Sequence, residues 1–478
     1  VNLFLSLFAP SYPQTLVYML QSTEYQAGPY LKWFWRTKDF SKVMYRRKLH
    51  KTRAANLLLL AISLGMLGQV LLGLGLLWLG HSQGHFTLTL TGTALIILYP
   101  FVGAHLVVLP LELGRIFIVQ PRQRKLIAAS RAIFSKHPGV TIAVAGSYGK
   151  TSMKELLKTV LKEGKSVAAT PANKNVAVSH AYFAQKLTGQ EDILIIEYGE
   201  GAPGDINRFA NNTQPDIGII TGLAPAHLDN YPSLQAAGQD IFSLDTAVGT
   251  DNIYVNDESE ASKPFIKPGY HTYNSHQVLD WKISNVKVDF SGTSFVMSKG
   301  QQSLHLHSGL LGRHQVGPLA VVAALANQLG LTKPQIEAGI AKTQPFEHRM
   351  QPRLVRGAWI LDDTYNGNID GLKAGLALLK ELPAKRRIYV TPGLVEQGVE
   401  TKAVHIELGK AIAATKPDKL VLMSNSVTSY IRQGLKAGDY QGEVQIEPDP
   451  LNFYTNIEHF LASGDVVLMQ NDWTDNYN

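Results

Sequence analysis

Val140-Thr141-Ile142-Ala143-Val144-Ala145, followed at once by Gly146-Ser147-Tyr148-Gly149-Lys150-Thr151, is the stretch that decides the fold. Six apolar or β-branched residues in a row read as a buried strand, and Ser152 to Lys162 carries the spacing of a helix. A glycine turn between such elements aims successive backbone N–H groups at phosphate oxygens. The helix N-terminus adds partial positive charge there. In that setting Lys150 is placed to reach the β- and γ-phosphates and the Thr151 hydroxyl to hold Mg²⁺. Gly146, Ser147, Gly149, Lys150, Thr151 and Ser152 therefore form a candidate ATP or GTP loop. Val144 stands where the general pattern has its first glycine, so the plainer alternative is a Gly/Lys turn with no ligand.

Downstream, short apolar runs alternate with helical stretches. Val140 to Ala145, Ile193 to Glu197 and Ile217 to Thr221 read as parallel strands, with crossover helices at Ser152 to Lys162 and Val176 to Leu187. This is a doubly wound α/β pattern. Period-two alternation between Trp281 and His307 predicts a small antiparallel excursion, followed by a helix at Leu319 to Leu329. A second alternation begins at Ala358, with strands at Ala358 to Leu361, Arg387 to Thr391, Lys419 to Met423 and Val466 to Met469. The reading divides the chain into a membrane region, 1–136, an ATP-binding α/β domain, 137–343, and a Rossmann-like C-terminal domain, 344–478.

The first region is of another kind. From Ala54 to Leu111 there is no Asp, Glu, Lys or Arg, and the polar stretch His81 to His85 divides the run into two halves. Each half exceeds the ~20 residues that a helix needs to cross a bilayer. Spans are expected at about 54–79 and 86–111, against the alternative of a soluble helical hairpin buried in a core. Lys32 to Arg53 carries nine Lys/Arg and one acid, and Arg115 to Lys136 carries six and none, so both ends are expected on the cytoplasmic side. Residues 1–53 read as an interfacial element or a further span, with Tyr30, Trp33, Phe34 and Trp35 beside Lys32 and Arg36 as an aromatic-basic helix. The net charge of +7 gathers around these apolar segments, which points to membrane lipid and away from nucleic acid. Without cysteine, disulfides and thiolate chemistry are excluded.

Further motifs follow in order: Thr170-Pro171-Ala172-Asn173-Lys174-Asn175, Ile196-Glu197-Tyr198-Gly199, Ala224-Pro225-Ala226-His227-Leu228-Asp229, Leu311-Gly312-Arg313-His314 and Asp362-Asp363-Thr364-Tyr365-Asn366-Gly367-Asn368. With the phosphate loop, this series resembles the Mur ligase family, nearest to its D-alanyl-D-alanine-adding branch, over about Val140 to Asp465. The resemblance implies an ATP- and Mg²⁺-dependent amide ligase of cell-wall precursor synthesis, in which a substrate carboxylate is phosphorylated and an amine then displaces phosphate. Its partners would be a UDP- or lipid-linked muramyl peptide and an amino acid or dipeptide. It implies catalytic roles for Lys150, Glu197, His227 and Arg349, and metal contacts from Thr151, Glu197 and His227. Nucleotide contacts are implied for Asn256, Gln315, Arg349 and Asp363. Asn173, Asn175, Asn366 and Asn368 would face substrate, and Gly393 and Glu396 resemble a further motif.

Four departures accompany the likeness. Where many members carry a carbamylated lysine bridging two metal ions, an ungapped reading finds Ile241, and the neighbouring Asp240 becomes the candidate carboxylate. The adenine-contacting pattern reads His314-Gln315-Val316-Gly317-Pro318, in which Gln315 keeps an amide and Pro318 cannot. Gln470-Asn471-Asp472 stands where a Lys-Gly-Ser loop is usual. The apolar hairpin stands where the family has a soluble domain that grips a UDP-sugar. A ligase of another polymer, of the poly-γ-glutamate type, and a non-catalytic nucleotide-binding membrane scaffold are the competing readings.

Overall fold

A computed structural model of the protein describes residues 7–23, 25–37, 40, 49–172, 174–224, 231–365, 367–394, 397 and 400–471. The chain forms two compact units, Val1–Lys125 and Leu126–Asn478.

The second unit holds two sheets. The larger is built on β1 (Val140–Ala145), β2 (Val167–Ala169), β3 (Ile193–Glu197), β4 (Ile217–Ile220), β5 (Ile253–Asn256) and β6 (His271–Tyr273). It continues through β7 (Gln277–Val278), β8 (Trp281–Asp289), β9 (Gly292–Lys299) and β10 (Gln302–Ser308). The strand order is β10-β9-β8-β7-β6-β5-β4-β1-β3-β2, parallel from β2 to β6 and antiparallel beyond. β1 therefore lies between β3 on one side and β4 on the other. That is the point where a doubly wound sheet opens a crevice at its carboxyl edge. Pairing of Val144 with Glu197 and of Ala145 with Ile220 brings the ends of three strands level there. Apolar residues on both faces, such as Ile142, Ile195 and Ile219 on one and Ala143, Leu194 and Ile220 on the other, join separate cores. Helices thus cover both sides, as the unbroken apolar runs require.

The smaller sheet comprises β11 (Gln351–Val355), β12 (Ala358–Asp363), β13 (Arg386–Thr391), β14 (Lys419–Met423), β15 (Glu443–Glu447) and β16 (Asp465–Gln470), in the order β11-β12-β16-β13-β14-β15. All its pairs are parallel except β11 with β12. The edge strands β11 and β15 do not stand out in the sequence, because neither has a fully buried residue or an apolar run. The two sheets belong to domains that touch. Phe290, in the turn after β8, stacks on Trp359 of β12 with ring centroids 4.5 Å apart, and Arg313 forks onto the Glu381 carboxylate at 2.8 to 3.2 Å.

The first unit is helical. Helices Arg53–Gln83 and Phe86–Leu106 are joined by Gly84, whose φ of +69° suits glycine and ends the first helix four residues later than the sequence reading placed it. The hairpin crosses closely at glycine. A Cβ on Gly92 would meet the Gly73 carbonyl at 2.6 Å. Helices Tyr12–Ser22 and Ala27–Arg36 pack Leu16, Leu20 and Phe34 into one cluster with Ile62, Met66 and Ala104. The Tyr12 and Tyr30 hydroxyls donate to the carbonyls of Pro100 and Ala104. The rest of the hairpin surface stays apolar and uncovered, including Leu57, Leu60, Leu64, Leu67, Leu71 and Trp78. Exposed apolar residues also continue beyond 111, through Leu113 to Val119, past an ion pair of Glu112 and Arg115 at 3.2 Å.

Candidate functional site: a phosphate loop facing two carboxylates

The loop after β1 folds as its glycines dictate. Gly146 has a φ of +135°, and a Cβ on it would lie 2.3 Å from the Thr221 hydroxyl, so no other residue fits. Gly149, with φ +72°, occupies the N-cap of helix Lys150–Leu161, which leaves the first N–H groups of that helix free for a ligand. The Ser147 N–H donates to the Gly222 carbonyl at 2.9 Å, and the Thr221 hydroxyl, at the end of β4, ties back to the carbonyls of Ala145 and Tyr148. The loop is thereby pinned to the neighbouring strand before any ligand arrives.

Two carboxylates grip the first two residues of that helix. Glu197, at the end of β3, accepts from the Thr151 hydroxyl at 3.0 Å and from the Asn175 amide at 3.3 Å on Oε1. Glu200, three residues on, pairs its Oε2 with the Lys150 ammonium at 2.5 Å, while Lys150 also donates to the Gly146 carbonyl at 2.6 Å. Lys154, one turn along the helix, is wholly buried, lies 3.1 Å from Glu197 Oε2 and donates to the Ala172 carbonyl. The buried charges thus balance, two ammonium groups against two carboxylates, as a low-dielectric site requires. Glu197 Oε2 and Glu200 Oε1 are both buried and receive no hydrogen bond. Beneath them, His180 donates from Nε2 to the Glu197 carbonyl at 2.9 Å, and burial depresses its pKa to about 4, so it stays neutral.

Beside the loop lies a cavity of about 310 Å³. Tyr148, Ser152, Asn256 and Gln315 line it from the central domain, and Asp370, Gly371 and Ala374 from helix Ile369–Glu381 of the C-terminal domain. Asn256 is oriented by donating to the Thr221 carbonyl at 3.1 Å. Burial lowers the His314 pKa to about 4, and the Gln315 amide donates to its Nε2 at 2.9 Å, so a neutral, largely apolar wall faces the space. Pro318 completes that wall in place of a polar side chain. Such a slot suits a flat heterocycle whose phosphates run onto the loop.

The carboxyl edge of the smaller sheet is tied internally. Asp363 accepts from the Met350 N–H at 3.1 Å and from the Gln470 amide at 2.8 Å. Burial raises its pKa to about 6, against the pull of Arg349. The Arg349 guanidinium stacks over Tyr365 at 4.1 Å. Asn368 caps helix Ile369–Glu381, its Oδ1 accepting from the Gly371 N–H at 2.9 Å. Asn471 bridges the Gly367 N–H and the Gly393 carbonyl.

Comparison with known proteins agrees with this architecture. Residues 144–326 match the Mur ligase middle domain, and residues 348–470 match the Mur ligase glutamate ligase domain. The chain belongs to the Mur ligase family. The UDP-N-acetylmuramoyl-tripeptide--D-alanyl-D-alanine ligase of Escherichia coli (strain K12) is 28% identical over 295 residues, covering 59% of this chain and 64% of that relative. The corresponding ligase of Mycobacterium leprae is 26% identical over 366 residues, covering 70% and 71%. The chain thus spans just under two thirds of the length of the Escherichia coli relative. Among solved structures, MurF from Acinetobacter baumannii superposes with a TM-score of 0.63 at 18% identity, covering 73% of this chain and 77% of that one. MurF from Thermotoga maritima in complex with ADP gives 0.63 at 21% identity, covering 73% and 80%.

Against this Mur ligase frame the candidate residues sort into three groups. Gly146, Ser147, Gly149, Lys150, Thr151, Glu197 and Asn175 gather at the carboxyl edge of the larger sheet, and Ser152, Asn256 and Gln315 line the adjoining cavity. His227, Asn173, Asn366 and Glu396 lie outside the described residues. Asp240 differs from expectation: both its oxygens are engaged, Oδ1 by the Gly204 N–H at 2.8 Å and Oδ2 by the Tyr231 hydroxyl at 2.8 Å. It fastens the loop after β3 to helix Leu234–Phe242, and the carboxylate that meets the phosphate loop is Glu200. Asn368, expected at substrate, spends its side-chain oxygen on a helix cap. Lys154 and Glu200 were not among the sequence candidates. Among the described residues no group of three His, Asp or Glu side chains forms a ready metal cage. Thr151 and Glu197 nonetheless offer the hard oxygen donors that Mg²⁺ takes, and Glu197 Oε2, which meets the Lys154 ammonium at 3.1 Å but accepts no hydrogen bond, fits that use.

Proposed function

We propose that the protein is a membrane-anchored, ATP- and Mg²⁺-dependent ligase that forms an amide between a muramoyl-peptide carboxylate and an amino acid or dipeptide such as D-alanyl-D-alanine. The observation that carries this reading is the seating of Thr151 against Glu197 on the phosphate loop that also carries Lys150, beside a cavity to which both domains contribute. In the reaction a carboxylate oxygen of the acceptor attacks the γ-phosphorus and ADP leaves. The amine nitrogen then attacks the carbonyl carbon and phosphate leaves. Lys150 and the N-terminal N–H groups of its helix neutralise charge on the transferring group, and Asn256 and Gln315 orient the nucleotide. Thr151 and Glu197, with His227, would hold Mg²⁺, which supplies further charge neutralisation when bound. Arg349 adds a cation from the C-terminal domain, and Asn173, Asn175 and Asn366 face the acceptor. The curated relatives named above, ligases of UDP-N-acetylmuramoyl-tripeptide and D-alanyl-D-alanine, support this choice of substrates. The test is mass-spectrometric detection of product from the detergent-solubilised protein, with ATP, Mg²⁺ and a panel of UDP- and lipid-linked muramoyl peptides and amine donors. Absence of any ATP-dependent product across the panel would favour the scaffold reading.

Residues 1–136 form the membrane part in this proposal, with 137–343 binding ATP and 344–478 completing the ligase. The exposed apolar hairpin supports it, since two helices here are long and apolar enough to cross a bilayer, one at Ala55–Gln83 and one in the helical stretch beginning at Phe86. The basic flanks place both ends on the cytoplasmic side, where ATP is found. A tag inserted at Gln83 should be accessible from outside intact cells. A tag reached only after permeabilisation would reject the two-span topology.

A further inference from the structure

Glu200 is a buried carboxylate with no part in the reading so far, and its surroundings are unusual. It is 7% exposed, one oxygen is held by the phosphate-loop lysine at 2.5 Å, and the other, Oε1, is buried without a hydrogen bond. Asp245, another buried carboxylate, likewise has one oxygen engaged, by Lys267 and Tyr270, and one without a hydrogen bond, so what sets Glu200 apart is its place beside the phosphate loop. Glu200 follows Glu197 by three residues beyond the end of β3, and the two take hold of the consecutive residues Lys150 and Thr151. Both carry a buried oxygen that accepts no hydrogen bond.

Charge balance shows what this pair does when a nucleotide arrives. Lys150 and Lys154 offset Glu200 and Glu197. Phosphates on the loop draw the Lys150 ammonium toward themselves, which leaves Glu200 buried, unpaired and next to further negative charge. Such a state is unfavourable unless another cation takes the ammonium's place. Mg²⁺ is the cation that accompanies nucleotide phosphates, and it prefers one or two carboxylates together with phosphate and water oxygens.

We propose that Glu200 is a second carboxylate of the divalent-cation site, beside Glu197, and that Lys150 occupies its place until nucleotide phosphates draw the ammonium away. The inference rests on the nucleotide reading given above. It assigns to Glu200 the carboxylate that the sequence suggested Asp240 would provide.

The experiment is a Mn²⁺ titration followed by electron paramagnetic resonance, on full-length protein in detergent micelles saturated with ADP, with ADP affinity measured separately in EDTA. For Glu200→Gln the expected result is a Mn²⁺ dissociation constant raised at least tenfold, with ADP binding in EDTA equal to wild type or tighter, because Lys150 is released from its partner. Asp240→Asn should leave the Mn²⁺ constant within twofold. A Mn²⁺ constant within twofold of wild type for Glu200→Gln overturns the proposal and leaves Glu200 as a counter-ion of Lys150 alone. If the melting profile shows that Glu200→Gln has lost its fold, Glu200→Asp decides. With the charge kept and the carboxylate drawn back by one methylene, Mn²⁺ affinity should fall while ADP binding in EDTA holds, and unchanged Mn²⁺ affinity overturns the proposal. Failure of the wild-type protein to bind ADP under either condition would be a different result, rejecting the nucleotide reading itself.

Discussion

The carboxyl edges of the two parallel sheets carry similar residues and treat them differently. On the larger sheet Glu197 and Glu200 are held by lysines and each keeps one oxygen free of hydrogen bonds. On the smaller sheet Asp363 accepts from Met350 and Gln470, and Asp362 accepts from Thr364 and faces His348, with Asn368 and Asn471 also engaged by their own domain. A charge held by an ammonium group at the mouth of the phosphate loop, as Glu200 is by Lys150, can be handed to a ligand. Charges locked by backbone N–H groups and amides cannot. The larger sheet therefore holds charges that a ligand could draw away, while the smaller one presents a fixed platform, with Asp370 and Gly371 in the first turn of helix Ile369–Glu381 lining the cavity.

Three measurements would break or sharpen that contrast. The largest effect is expected at Glu197. Glu197→Ala leaves the fully buried Lys154 with only the more distant Glu155 carboxylate at 3.5 Å, and removing one partner of a buried pair costs on the order of 3–5 kcal/mol. Denaturant unfolding of the variant should show this loss. A change below about 1 kcal/mol would mean that Lys154 is satisfied without Glu197.

A smaller effect is expected at Asp363, and its sign is fixed by the direction of the shift. Burial raises the folded-state pKa to about 6 from an ordinary value of 3.8, so between these values the folded protein binds the proton more strongly than the unfolded chain does. Stability contributed by this group is therefore present at low pH and lost as pH rises through about 4 to 6, by on the order of 1–3 kcal/mol. Asp363→Asn should remove that part of the pH dependence. Equal slopes for wild type and variant over this window would show that Asp363 ionises as freely folded as unfolded.

The smallest effect separates a cap from a substrate contact. Asn368→Ala should lower stability by about 1 kcal/mol, as loss of a helix N-cap does, and leave KM for the acceptor unchanged. Unaltered stability with a raised KM would restore Asn368 to the acceptor site.

Much of the architecture was legible in the sequence because its signals are local. The strand, glycine turn and helix around Gly146 to Thr151 need only neighbouring residues, and an uncharged run from Ala54 to Leu111 marks two long apolar helices without reference to the rest of the chain. Lys154 was legible too, though unnoticed. It sits three and seven residues before Leu157 and Leu161, on the buried face of the helix, where a lysine needs a partner. Glu200 was not legible. Between Gly199 and Gly201 it has no periodicity to place it, and its contact with Lys150 spans 50 positions. The same limit explains Asp240, whose position close to the expected lysine said nothing of the Gly204 N–H and Tyr231 hydroxyl that engage it.

The most direct test of a nucleotide-using edge on the larger sheet is phosphate release from ATP by the full-length protein and by Lys150→Ala, in the same micelles and with the same muramoyl-peptide and D-alanyl-D-alanine mixture. The expected result is a loss of roughly a thousandfold in Lys150→Ala, since the lysine stabilises charge on the transferring phosphoryl group. Equal rates in the two proteins would contradict the assignment of the loop.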